Sequence, residues 1–149
     1  MTEIASRLSN LGYTLYSGGA DGADHAFEIG TSNKLIFLPW DGFCGKNVDS
    51  NQYIVPPFNG DLVNKYHPRA SKLKPGALRL MSRNSYQVLG PDLRSPVDFI
   101  LCWTKDGKAS GGTGQAIRIA NSIGIPVFNM KNNGWKAELL RHVLMWSDQ

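Results

Sequence analysis

Apolar positions recur along this chain in two rhythms, a helical one of three to four residues and a short, nearly continuous one that suits buried strands. Ile4, Ala5, Leu8 and Leu11 fall on one helical stripe, and Gly12 supplies a stop, so residues 1–12 are predicted to open the chain as a helix. Tyr13 to Tyr16 reads as a short strand that runs into the turn Ser17 to Gly22. From Asp21 or Gly22 a second helix, carrying Ala23, Ala26, Phe27 and Ile29, extends to about Gly30. Lys34 to Pro39 has the unbroken apolar character of a strand covered on both faces. Residues 40–59, with Gly42, Gly45, Pro56 and Pro57, are irregular, and a loop of more than about 15 residues in a compact domain commonly covers a site. It is read here as either such a cover or an idle excursion.

Residues 60–90 are predicted to be helical in two pieces, Gly60 to about Lys72 and Pro75 to Leu89, with Pro68 interrupting the first and Pro75 starting the second. Val97 to Trp103 is the strongest strand. A glycine-rich loop at 107–114, a helix near 115–123, a strand from Ile125 to Asn129 and an amphipathic helix from Trp135 to Trp146 complete the chain. Strands separated by helices imply parallel pairing through right-handed crossovers. The fold class expected is therefore α/β, a single domain over residues 1–149 with a mainly parallel, doubly wound sheet and helices on both faces. In such sheets ligands bind beyond the carboxyl ends of the strands.

Composition narrows this only a little. With 149 residues, 42% hydrophobic and 19% charged, the chain suits one globular domain, and its apolar runs are far shorter than the roughly 20 residues of a membrane helix. Met1 to Ile4 has neither the basic nor the apolar region of a secretory signal, so the cytoplasm is the expected compartment. Cys44 and Cys102 lack metal or redox spacing and read as reduced thiols, Cys102 in the core and Cys44 in a loop. His25, His67 and His142 have no ligand spacing, and neither a metal nor a cofactor is implied. The net charge of +4 matters for its distribution: Lys65, Arg69, Lys72, Lys74, Arg79 and Arg83 occur with His67 in a stretch that contains no acid. Such a cluster attracts phosphate, or it is simply a solvated face.

Two loops carry the candidate chemistry. Ser17, Gly18, Gly19 and Ala20 precede Asp21 and Asp24 at a strand-to-helix turn, where glycine permits close backbone approach and carboxylates accept hydrogen bonds from sugar hydroxyls or base amines. In the second loop Gly111, Gly112, Thr113, Gly114 and Gln115 open a helix without nearby acids, which makes it the better phosphate site. Neither loop has the Gly-Lys-Ser/Thr of a P-loop or a first-turn G-x-G-x-x-G, so a conventional kinase or dehydrogenase is disfavoured. Arg83 and Asn84 are expected to add charged and polar contacts from the helix facing the pocket, and Trp40 and Trp103, at strand ends, to stack on a base. Trp135 and Trp146 read as core or edge residues. Ser17 has no recognisable His-Asp partners for nucleophilic work.

These loops resemble the SLOG superfamily, which includes DNA-processing protein A and the Lonely Guy phosphoribohydrolases. The run from Arg83 to Gly90, together with Val97 to Thr104, Gly111 to Ala120 and Gly124 to Val127, is similar to small DNA-processing-A-like proteins of bacteriophages. The resemblance covers most of residues 1–130 and implies a Rossmann-like three-layer α/β/α fold. Ser17, Gly18, Ala20, Gly22 and Asp24 match the Ser-Gly-x-Ala-x-Gly-x-Asp pattern of DNA-processing protein A, but Glu28 stands where that pattern has a histidine. Gly111, Gly112 and Gly114 match the Pro-Gly-Gly-x-Gly-Thr-x-x-Glu pattern of the phosphoribohydrolases, with Ser110, Gln115 and Arg118 in place of its Pro, Thr and catalytic Glu.

The resemblance also implies a strand and a Gly-Ser-Arg-type turn ahead of the first helix. Met1 begins inside that helix, so either the start of this sequence omits the element or the protein is shorter than its relatives, and loss of that central strand would weaken the sheet and leave the pocket incomplete at one wall. Three functions follow as expectations. The first is binding of a nucleotide or nucleotide-derived small molecule, which in a phage-encoded protein would capture or alter a host nucleotide signal. The second is single-stranded DNA binding along Lys65 to Arg83 as a recombination accessory protein. The third is a nucleotide N-glycosidase with Glu28, Asp24 or Asp21 as its acid. No membrane is expected as a partner, and a homo-oligomer is an open expectation.

Overall fold

A computed structural model describes residues 1–49 and 51–147, with side chains described as far as Val143. Helix α1 spans Thr2–Asn10, β1 Leu15–Ser17, α2 Ala23–Ile29 and β2 Lys34–Phe37. Then come β3 at Tyr53–Ile54, α3 at Gly60–Tyr66, α4 at Pro75–Leu89, β4 at Ile100–Cys102, α5 at Thr113–Ile123, β5 at Val127–Asn129 and α6 at Trp135–Ser147. Every pairing is parallel, as expected for a mixed α/β chain. None of the described helices is long and apolar enough to cross a membrane.

The strands do not form one sheet. They form a three-stranded sheet in the order β1-β2-β3 and a separate two-stranded sheet of β4 and β5. Among the described residues no ladder joins β1 to β4, so the continuous doubly wound sheet expected from the sequence is interrupted between them. Strand β3 lies within the stretch read as irregular, and two residues are too few to carry a period.

Other departures are local. Strand β4 begins only at Ile100, because the Val97 amide donates to the Val88 carbonyl at the end of α4 (2.9 Å) instead of to a strand neighbour. Helix α3 stops at Tyr66, since the residue before a proline is pushed out of helical geometry, and His67 is extended at φ −93° and ψ 123°. Only a single 3₁₀ turn follows, at Ala70–Lys72. Helix α5 starts two residues earlier than expected, directly after Gly112.

Ile36 and Phe37 of β2 and Leu38 just after it are fully buried, as their unbroken apolar run predicts. Helix α4 packs on β1, β2, α3 and α5. Val88 joins Ile119, Ala120 and Ile125 in one apolar cluster, while Phe128, Leu139 and Val143 form another that recruits Ile4 and Leu8 of α1. Helix α1 also rests on α2 so closely that a Cβ added at Gly30 would lie 2.3 Å from the Thr2 carbonyl oxygen and 2.6 Å from the Ala5 Cβ. Gly30→Ala is therefore expected to force these helices apart and to destabilise the chain by about 1–3 kcal/mol, read as a lower urea midpoint.

Candidate functional site

Helix α4 brings the two glycine-rich loops together. Arg83 lies under the first loop: a Cβ built on Gly18 would fall 1.4 Å from its Nη1. The next residue, Asn84, donates from Nδ2 to the Gly112 carbonyl in the second loop (2.8 Å). One cavity of about 700 Å³ is bordered by Ser17, Ala20 and Asp24 on one side and by Gly112 and Thr113 on the other, with Arg83, Asn84 and Trp103 between them. The strand ends thus open on a shared crevice.

Arg83 is its central charge. The residue is 6% exposed, and its Nε has no hydrogen-bond partner among the described residues. Its Nη1 reaches Gln87 Oε1 only at 3.5 Å, and the Phe43 ring covers the guanidinium at 5.4 Å. Burial pulls its pKa down to about 10, partly offset by the charges of Asp24 and Cys44, so it stays cationic at neutral pH. A buried guanidinium that forms no ion pair among the described residues is an unsatisfied anion site.

Each loop is fixed by its own contacts. Asp24 Oδ2 accepts from the Ala20 amide (3.3 Å), and the Gly19 carbonyl accepts from Lys46 Nζ (2.6 Å). In the second loop Asp106 Oδ1 accepts from the Ser110 hydroxyl (2.6 Å) and the Lys108 amide (3.0 Å), contacts that hold its carboxyl below the usual range. Buried Asn129 donates to Thr104 Oγ1 (2.7 Å), tying the end of β4 to β5. The Gly114 amide bonds back to Ser110, whereas those of Gly112 and Thr113 have no partner among the described residues. Both stand at the start of an eleven-residue helix, where amides and dipole favour an anion.

Not every residue expected at the site reaches it. Asp21 and Gly111 are exposed, Gly18 is buried against Arg83, and none of the three borders the cavity. Gly19 turns the other way, and a Cβ there would meet Leu38 and Ile36 of the sheet side. Gly114 packs against the Ala109 carbonyl, and Gln115 is fully buried behind the loop, accepting from Arg118 Nη2 (3.1 Å). The early start of α5 explains both, since it rotates these positions inward. Trp103 is 48% exposed at the rim, whereas Trp40 borders a different, smaller cavity with Phe58 and Arg79. The side chain of Trp146 lies outside the described residues.

Glu28, a candidate acid, is buried away from the crevice. Its Oε2 accepts from the Tyr53 hydroxyl (2.9 Å) and lies 3.7 Å from Lys34 Nζ, while its Oε1 is 3.2 Å from Lys46 Nζ. Of the three acids considered for glycosidic chemistry, only Asp24 borders the cavity. Lys46, Tyr53 and Phe43 were not singled out from the sequence. All three belong to the long 40–59 stretch, whose length was the signal. The Tyr86 hydroxyl also donates to that stretch, at the Pro57 carbonyl (2.6 Å), which ties it to α4, although none of the described residues in 40–59 borders the cavity.

Cys44 is exposed, whereas Cys102 is buried and burial lifts its thiol to about 11. Folding therefore retains a proton that the unfolded chain releases. The resulting stability is intact below pH 9 and is lost as pH rises towards 11. Cys44 is expected to consume the first equivalent of an aromatic disulfide reagent at pH 8, with Cys102 at least about 100-fold slower until denaturant is added. Compared with protein-family models, curated proteins and solved structures, the chain matches none of them.

Proposed function

We propose that this chain is a nucleotide-ligand-binding domain of the SLOG type, Rossmann-like in organisation, which holds a nucleotide-derived small molecule at the strand ends. The observation that carries the reading is Arg83, a buried cation with an unpartnered Nε between two glycine-rich turns. A phosphate there takes charge-assisted bonds from Arg83 and main-chain bonds from Gly112 and Thr113, while the carboxylate of the second loop, Asp106, is engaged by Ser110 and Lys108 and does not border the cavity. Asp24, held by the Ala20 amide through one oxygen, offers the other to a ribose hydroxyl, and Trp103 at the rim offers its ring to a base.

A thermal-shift series with AMP, ADP and ADP-ribose tests this reading. A ligand present at about 100 times its Kd stabilises by about 2.7 kcal/mol, which moves the midpoint of a chain of this size by several degrees. No shift with any of the three contradicts it.

A second reading rests on a different observation. Lys65, Arg69, Lys72, Lys74 and Arg79 are exposed and form no ion pair among the described residues, which suits a single-stranded DNA backbone. With about five phosphates neutralised, log affinity for an oligonucleotide is expected to fall with log salt at a slope near −3.5. Absence of binding at low salt removes that reading.

A further inference from the structure

The chain has two Asn-Gly steps, Asn59-Gly60 and Asn133-Gly134, and the fold treats them oppositely. Such a step is chemically labile when it is free, because a glycine nitrogen, with no Cβ beside it, readily approaches the side-chain carbonyl carbon of the preceding asparagine. At Asn59 it is not free. The Asn59 Oδ1 caps α3 by accepting from the Leu62 amide (3.1 Å), and the Asn59 amide donates to the Ser82 hydroxyl (2.8 Å). Gly60 is the first residue of that helix, and the Phe58 ring lies 3.2 Å from where a Gly60 Cβ would stand. Attack on the Asn59 side chain therefore requires loss of the cap and of the first turn of α3.

Asn133 and Gly134 are both exposed and connect two anchored segments. On one side Asn129 bonds Thr104 through Nδ2 (2.7 Å) and Oδ1 (3.3 Å), and its carbonyl accepts from the Asn132 amide (3.0 Å). Asn132 in turn donates from Nδ2 to the Gly107 carbonyl (3.1 Å), at the start of the second glycine-rich loop. On the other side α6 begins at Trp135, with the Glu138 amide on the Gly134 carbonyl (3.1 Å). Between these anchors the Asn133 side chain and the Gly134 amide have no hydrogen-bond partner among the described residues. Gly134, at φ +83°, carries no side chain to obstruct its nitrogen.

We infer that Asn133 is a site of spontaneous covalent modification whose product alters the second glycine-rich loop. The Gly134 nitrogen gives its proton to solvent and attacks Cγ of Asn133. A new C–N bond forms, the side-chain amide leaves as ammonia with a proton from water, and a cyclic imide joins the two residues. Water then opens either carbonyl of the ring, so one water is consumed and one ammonia released, with no change of oxidation state. One opening gives aspartate; the other gives isoaspartate, in which the main chain runs through the former side chain and gains a carbon. Either product brings a negative charge to the start of α6, where the helix dipole favours it. Only isoaspartate lengthens the main chain next to Asn132, which packs so closely on Gly107 that a Cβ there would fall 2.1 Å from its Oδ1. The inference stands on this local geometry and does not rest on the nucleotide reading.

The test is incubation of the full chain at pH 8 for several weeks, with peptide mapping by mass spectrometry and an NMR spectrum of the separated products. Asn133 is expected to gain about one mass unit and to give two products, the isoaspartyl one being a substrate for protein isoaspartyl methyltransferase. In the folded chain Asn59 is expected to react at least tenfold more slowly than Asn133, and in urea at a similar rate. Asn133→Gln is expected to stop the reaction at this step without changing the melting temperature. The isoaspartyl form is expected to move the Gly107 amide resonance at least threefold further than Asn133→Asp does.

Asn133 remaining intact in the folded chain while it reacts in urea, or Asn59 reacting as fast as Asn133 in the folded chain, overturns the assignment of the site. A Gly107 resonance that stays in place in the isoaspartyl form, or moves equally in Asn133→Asp, overturns the effect on the loop.

Discussion

Replacing Arg83 by methionine is expected to raise the melting temperature of the ligand-free protein and, in the same variant, to reduce by half or more the stabilisation that nucleotides give. The two effects have one cause. The guanidinium pKa, pulled down by burial to about 10, reflects the cost of burying the charge, which corresponds to roughly 3 kcal/mol. The ligand-free site repays that cost only in part, through the charge of Asp24 and the Phe43 ring, since Nε has no hydrogen-bond partner among the described residues and Gln87 Oε1 is 3.5 Å from Nη1. A similar-sized apolar side chain keeps the packing under Gly18 and against Phe43 without the charge, an exchange that is often neutral to stabilising by about 1–4 kcal/mol.

The pH dependence has a definite sign. Because the folded-state pKa lies below the unfolded one, the cost is present at every pH below about 10 and is relieved only above it. The gain in Arg83→Met should therefore be constant from pH 6 to 9 in a thermal melt. Binding should fall about 10- to 150-fold, the value of a charge-assisted hydrogen bond of about 1.5–3 kcal/mol. A variant that is less stable without ligand, yet binds normally, would make Arg83 a structural residue.

The second large effect has the opposite sign. Glu28→Ala is expected to destabilise the chain by about 3–5 kcal/mol in urea unfolding, the usual consequence of removing one partner from a buried charge cluster. Lys34 and Lys46, with side chains only 15% and 14% exposed, then face each other's positive charge without the carboxylate, and the Tyr53 hydroxyl loses its acceptor. Lys46 is also the donor to the Gly19 carbonyl, so the loss reaches the first glycine-rich loop. Glu28→Gln, which keeps the shape and one acceptor, should recover part of the loss. Equal stability of the alanine variant and the unchanged protein would show that the cluster is a solvated surface feature.

The local elements were legible where a single rhythm ran long enough. Ile36, Phe37 and Leu38 announced a buried strand, and Pro75 marked the first turn of α4. Tyr53–Ile54 was hidden because two residues have no period, and their strand exists only through pairing with β2. The site was legible in part for a similar reason. Sequence places Arg83 and Asn84 on one helix and the glycines on two turns, but which way a glycine faces depends on long-range packing. Gly18 meets Arg83, while its neighbour Gly19 meets Leu38. Gln115 looked like a loop residue because the helix was expected to begin there, and an earlier start turned it inward. The part played by Lys46, Phe43 and Tyr53 required tertiary structure, since nothing local in residues 40–59 marks them as partners of Glu28 and Arg83.

The claim on which the functional reading depends is that the turns at Gly18 and Gly112 grip one anion between them, with Arg83 beneath. The most direct measurement is an NMR titration of the labelled protein with ADP, following the backbone amides of Gly18, Gly112 and Thr113 and the Arg83 Nε–H. Saturable shifts of all four with a single Kd, and a downfield Arg83 Nε–H as its missing partner arrives, are the expected result. Shifts confined to the exposed cations from Lys65 to Arg79, or to one turn without the other, would contradict it.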